Sequence, residues 1–157
     1  MTVTQQLFRT EDGRPVTTVT AEEMRAVDRV AVEDIGLELL QMMENAGRNL
    51  AAAVRQQTDE DEQVVVLAGS GGNGGGGLAC ARHLANHAQS VSVVLDRPAK
   101  QLSGAVATQY RVLDAMDVPV GVGSDDVPTD GTVVVALVGY SLSGPLRGTA
   151  AELVDAV

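Results

Sequence analysis

Lysine is nearly missing from this chain: Lys100 stands alone among 157 residues, against ten arginines. Tryptophan is absent, and Phe8, Tyr110 and Tyr140 are the only aromatics, so a core must be assembled from Val, Leu, Ala and Met. A single cysteine, Cys80, excludes an internal disulfide and brings no partner for a thiolate metal site. It reads as a small core residue just past a helix start. No apolar run approaches the ~20 residues that cross a bilayer, and the polar first residues lack a signal-peptide pattern. The expected protein touches no membrane and resides in the cytoplasm.

Acids outweigh bases. A net charge of −10 and a pI near 4.4 exclude nucleic-acid binding through phosphates, which needs clustered Lys and Arg. Acidic runs such as Asp59-Glu60-Asp61-Glu62, with so little lysine, point to a halophilic, high-salt cytosol where counterions screen the repulsion. With 45% hydrophobic residues the chain still has the composition of a folded protein.

Residues 1–19 read as a lead-in, with turns at Asp12-Gly13 and Pro15. Residues 20–157 read as one domain. Thr20 and Glu23 form a capping box that starts a helix at Ala21, carrying Met24, Val27, Val30 and Ala31 at helical spacing. Gly36 interrupts it, and a second helix is expected over 37–57. From Val64 strands and helices alternate. Strands are expected over 64–68, 91–95, 118–122 and 132–138, and helices over 78–87 and 104–116. A last helix is expected to follow a second capping box, Thr149 with Glu152. Apolar strands separated by helices indicate a mostly parallel sheet covered on both faces, a three-layer α/β/α arrangement. Its ligand edge lies at the strands' C-terminal ends, beside the switch in strand order.

The stretch Gly69-Ser70-Gly71-Gly72-Asn73-Gly74-Gly75-Gly76-Gly77 holds seven glycines in nine positions between a strand and a helix. Such a turn lets a ligand approach the backbone and aims helix N–H groups at an anion. Gly69, Gly71 and Gly74 match G-x-G-x-x-G, and Asp96 closes the next strand where a dinucleotide fold places its ribose-binding acid. No Lys-Ser or Lys-Thr follows, which excludes a P-loop. Asn73 suits a ribose hydroxyl, a monovalent cation, or simply a left-handed turn. His83 and His87, one turn apart, have metal-ligand spacing but no third ligand, so packing or surface roles are favoured. Arg147 suits a phosphate or a helix-end acid.

Several motifs in order carry a resemblance. They are Met43-Glu44-Asn45-Ala46-Gly47-Arg48, the glycines around Asn73, Ala81-Arg82-His83-Leu84, Leu102-Ser103-Gly104, and Gly139-Tyr140-Ser141-Leu142-Ser143-Gly144-Pro145-Leu146-Arg147-Gly148. In these the chain, over about residues 17–157, resembles the YjeF N-terminal domain family, which includes the NAD(P)H-hydrate epimerases. The resemblance implies a Rossmann-like fold and a homodimer. It implies a site for hydrated NADH or NADPH with a potassium ion, where the R and S epimers interconvert. It places nucleotide binding on Gly71, Gly72, Asn73, Gly74, Gly75, Gly76, Gly139, Tyr140, Ser141, Leu142, Ser143, Gly144, Pro145 and Arg147, and potassium on Asn73. Two acids of the family pattern are replaced here, one by Gly76 and one by Val135. The family pattern also continues past Val157 into a strand and an Asp-x-Pro-Ser-Gly turn, so that part is expected to be missing.

Three functions follow as expectations. The first is an NAD(P)H-hydrate epimerase, an isomerase weakened by those replacements. The second is a non-catalytic module binding a nucleotide or another phosphate-bearing ligand. The third is an NAD-linked oxidoreductase domain using Asp96.

Overall fold

The structure is a computed structural model and describes residues 8–140 and 142–157. Two compact units divide the chain, one ending at Leu37 and the other running from Glu38 to Val157.

In the first unit, β1 (Phe8–Arg9) pairs antiparallel with β2 (Pro15–Val16) around the turn at Asp12-Gly13. The helix α1 (Ala21–Arg29) starts where its capping box requires. Glu23 N–H donates to Thr20 Oγ1 at 3.2 Å, and Thr20 N–H donates to Glu23 Oε2 at 2.6 Å. Those two bonds satisfy donors that a helix start otherwise leaves bare, and they hold the Glu23 carboxyl below its ordinary pKa. The helix then widens into a π turn over Val30–Asp34, and Gly36 ends it at φ +78°.

The second unit carries the sheet. Its strands are β3 (Val64–Ala68), β4 (Val91–Leu95), β5 (Val120–Val122) and β6 (Thr132–Ala136). All pair in parallel, in the order β5-β4-β3-β6. The chain builds outward from β3 to β5 and then returns to the other side of β3, so the switch in strand order lies between β3 and β6. β5 and β6 are each two residues shorter than the sequence suggests.

The helices are α2 (Leu39–Arg55), α3 (Gly72–Asn86), α4 (Gly104–Asp114) and α5 (Thr149–Asp155). Three expectations need correction. α3 begins at Gly72 rather than Leu78, so most of the glycine stretch is helix and not loop. α4 ends at Asp114, two residues early. The second capping box does not form. Gly148 is the N-cap of α5 at φ +56°, and its carbonyl accepts from Ala151 N–H and Glu152 N–H. Thr149 is already inside the helix.

The alternation of β3 explains the layers. Val64, Val66 and Ala68 face one way, into a core with Val93, Leu95, Leu78, Leu84, Val106 and Leu113. Val65 and Leu67 face the other way, with Val94, Leu137 and Leu153 of α5. Every side chain of β3 is buried, as a central parallel strand requires. α2 lies over α3 where Gly47 lets the two backbones approach. A Cβ there would stand 2.5 Å from the Ala79 Cβ and 2.7 Å from the Cys80 nitrogen. Cys80 is fully buried, and desolvation pushes its thiol pKa up to about 12.

Candidate functional site

The strand tips of β3 and β6 meet tightly. Gly69 N–H donates to the Ala136 carbonyl at 3.2 Å, and a Cβ on Gly69 would strike the carbonyl oxygen of Leu137. One turn on, a Cβ on Gly74 would strike the carbonyl oxygen of Gly69. α3 therefore rises directly against the end of its own strand, which only a residue without a side chain permits. Gly75 abuts the Met43 side chain, with a Cβ position 2.5 Å from Met43 Cε, and Gly77 abuts Ala136. These four glycines serve packing.

Fewer positions stand open. Gly71 and Gly72 have open space around them, and both are exposed at the mouth of α3. Asn73 follows, also exposed. Its Nδ2 donates to the Val138 carbonyl at 2.8 Å, across 65 residues of chain, and its Oδ1 makes no hydrogen bond among the described residues. A Cβ on Gly139 would sit 3.5 Å from the Asn73 Cβ. The two glycine-rich segments expected to share an edge therefore meet in one notch at the switch point, where open parallel sheets bind their ligands.

The second segment frames that notch. Tyr140 and Leu142 are about half exposed, and Leu142 N–H closes a turn onto the Gly139 carbonyl at 3.1 Å. Gly144 turns at φ +82°, with the Arg147 guanidinium about 4.0 Å from where its Cβ would be. Ser143, Gly144, Pro145 and Arg147 are exposed. No acid pairs with Arg147 among the described residues. Ser141 lies outside the described residues.

The two positions of replaced acids differ in setting. Gly76 is buried but roomy, with the Ala46 Cβ at 3.8 Å the only neighbour a Cβ would meet. Val135 is paired in register with Leu67 yet remains 52% exposed. Asp96, the acid expected at a ribose, is gripped by Arg97, and Asp126 Oδ2 accepts from Val122 N–H at 2.7 Å. Among the described residues, no group of three His, Cys, Asp or Glu side chains could hold a metal ion.

A cluster that sequence reasoning missed lies behind the notch. Glu44 of α2 takes the Arg82 guanidinium on one oxygen and His83 Nε2, at 2.6 Å, on the other, with Arg48 3.7 Å away. Partial burial raises the Glu44 pKa, but the His83 hydrogen bond and the charges of Arg82, His83 and Arg48 outweigh it and leave the pKa lowered. His83 is thus engaged by Glu44, and His87 Nδ1 lies 2.7 Å from the His83 carbonyl. The cluster locks α2 onto α3, the helix whose first turn lines the notch. The sequence signal was the pair of motifs Met43–Arg48 and Ala81–Leu84, whose pairing requires three dimensions. At the opposite end of the sheet a shallow groove of about 760 Å³, lined by Gln63, Gln89, Ser90, Ser92 and Asp117 among others, is remote from the notch.

Comparison with known proteins agrees with this geometry. Residues 39–157 match the family described as YjeF-related protein N-terminus. An NAD(P)H-hydrate epimerase of Dehalogenimonas lykanthroporepellens is 44% identical over 155 residues, covering 94% of this chain and 61% of its own length. A bifunctional NAD(P)H-hydrate repair enzyme Nnr of Hyperthermus butylicus is 37% identical, over 92% of this chain and 29% of its own. The crystal structure of the yeast protein YNL200c superposes with a TM-score of 0.79 at 27% identity, covering 90% of this chain and 64% of that one. The chain spans less than two thirds of the length of each of these relatives. The strand order, the helix rising from β3 and the matched residues make this chain a member of the YjeF N-terminal family.

Proposed function

We propose that the notch binds a hydrated nicotinamide nucleotide, NADH- or NADPH-derived, and that the chain accelerates interconversion of its R and S epimers. The observation that carries this reading is the Asn73–Val138 hydrogen bond, which ties the start of α3 to the segment after β6 and brings the two loops together. At the mouth of α3 the N–H groups near Gly72 and Asn73, with the helix dipole behind them, suit a phosphate. Arg147, exposed on the second segment, supplies a cation for such a phosphate. Relatives named for the epimerase support the assignment of the chemistry.

Epimerisation at the hydrated carbon needs hydroxide loss or ring opening, then return from the opposite face. A positioned acid or base contributes about 10²–10⁴-fold to such proton transfers. Gly76 and Val135 supply neither, which favours a second reading, a nucleotide-holding module with little turnover. The residues fit the potassium ion implied by the resemblance poorly. Asn73 Oδ1 and backbone carbonyls are the oxygens that remain, without a carboxylate to balance the charge, and no step here depends on the ion.

The test follows the R-to-S ratio of hydrated NADH by chromatography, with excess protein, with and without KCl. A rate above the spontaneous one is expected, rising at least tenfold in the Gly76→Asp, Val135→Asp double variant. A wild type no faster than buffer that still binds nucleotide leaves the module reading. A double variant as inert as a boiled control removes the proposed roles of both positions.

A further inference from the structure

Beside the notch, at the tip of β4, an acid and an arginine close on each other. Asp96 N–H donates to the Ala68 carbonyl at 3.1 Å, one residue before Gly69, so Asp96 is fixed one strand over from the start of the glycine stretch. Its side chain is only 9% exposed, while that of Arg97 is 42% exposed. One guanidinium occupies both carboxylate oxygens: Arg97 Nε donates to Oδ1 and Nη2 to Oδ2, each at 2.9 Å. Lys100, in the 3₁₀ turn Ala99–Gln101, is exposed and adds a screened point charge without a fixed donor geometry.

In a parallel sheet of this type, the strand next to the glycine-bearing one ends beside the nucleotide's ribose. An acid there accepts from the 2′-hydroxyl, whereas an available arginine accommodates a 2′-phosphate. Here both residue types are present, and their pairing decides between them. A carboxylate has about four lone-pair positions, and Arg97 uses two, so a ribose hydroxyl still finds an acceptor. A 2′-phosphate could reach only the donors that Arg97 has left over, and there it would lie beside the nearly buried Asp96 carboxylate, whose charge opposes a dianion.

We propose that Asp96 and Arg97 read the 2′-position of the nucleotide and set this chain for the NADH-type form over the NADPH-type form. This rests on the nucleotide reading of the notch. Calorimetric titration of the full chain with hydrated NADH and with hydrated NADPH tests it, using wild type, Asp96→Asn and Arg97→Ala, with thermal melts to verify folding. Wild type is expected to bind hydrated NADH about tenfold more tightly. In Asp96→Asn the released guanidinium should strengthen hydrated NADPH binding about tenfold and erase the preference. Arg97→Ala, which leaves the carboxylate unmasked, should widen it. Arg97 is partly exposed, so that variant carries the test if Asp96→Asn does not fold. Equal affinities in wild type, or a ratio unmoved in the folded variants, overturn the inference alone. If neither nucleotide binds wild type, the nucleotide reading of the notch fails and takes the inference with it.

Discussion

Between Gly69 and Gly77 four of the seven glycines, Gly69, Gly74, Gly75 and Gly77, stand where neighbouring atoms come too close for a Cβ. Between Gly139 and Gly148 glycines occur where the chain turns through positive φ, at Gly144 and Gly148, with space to spare. The first segment is largely buried helix and the second an exposed loop. In the sequence the two look alike. The comparison teaches that glycine abundance beside a strand is not in itself a ligand cradle. In the first segment only Gly71 and Gly72 border open space at the mouth of the helix, while Gly69, Gly74, Gly75 and Gly77 hold α3 against β3, β6 and α2.

The largest effect should come from filling the tightest contact. Gly74→Ala puts a methyl into the Gly69 carbonyl, and backbone on both sides leaves little to give. A loss of roughly 3 kcal/mol is expected, at the upper end for overpacking, read from the urea midpoint. An unshifted midpoint would mean that α3 does not rise against β3 as described.

Next is the clamp that presses α2 onto that helix and has no counterpart in the second loop. Glu44→Gln leaves Arg82 and His83 without their shared carboxylate, at a cost of about 2 kcal/mol for so partly buried a group. The sign of the pH dependence follows from the lowered pKa. The stabilisation is complete above the ordinary carboxylate value of 4.5 and is lost as pH falls through the lower folded value. Melting curves of wild type and variant should therefore differ most near neutrality and converge below that value. A gap that stays constant into acid would assign the loss to packing.

How much of this was legible follows the same division. The apolar runs Val64–Ala68 and Val91–Leu95 are strands to the residue, because a central parallel strand has no polar face to blur its ends. Thr20 and Glu23 mark a helix start because both hydrogen bonds of a capping box are local. The start of α3 was hidden because glycine is a poor helix former, and helix there is imposed by contacts with Gly69, Met43 and Ala136. Thr149 and Glu152 have the right spacing for a capping box, yet Gly148 at positive φ enters the helix one residue sooner. At the site, the meeting of the two segments follows from strand alternation. The Asn73–Val138 bond and the Glu44 clamp join residues too distant in sequence for any local pattern.

A smaller effect should separate strain from crowding in the second segment. Gly144→Ala meets no obstacle nearer than the mobile Arg147 guanidinium, but φ +82° is unfavourable for an L side chain. The expected cost is about 1 kcal/mol, read from the urea midpoint. A loss as large as that of Gly74→Ala would mean that this loop is packed like the first.

The smallest effect has the opposite sign and gives the sharpest contrast. Gly76 and Gly77 are adjacent, both helical and both buried. A Cβ at Gly77 would run into the Ala136 Cβ, whereas one at Gly76 meets only the Ala46 Cβ at an ordinary 3.8 Å. Alanine in a helix interior is favoured over glycine by roughly 0.5–1 kcal/mol, since less backbone freedom is lost on folding. Gly76→Ala should therefore stabilise the protein by about that amount while Gly77→Ala destabilises it, in parallel urea melts. Should both destabilise, the space at Gly76 is not real, and a carboxylate introduced there would have no room to act. Should Gly76→Ala stabilise, the position can accept a side chain, and the missing acid reflects chemistry at this site rather than the packing of α3.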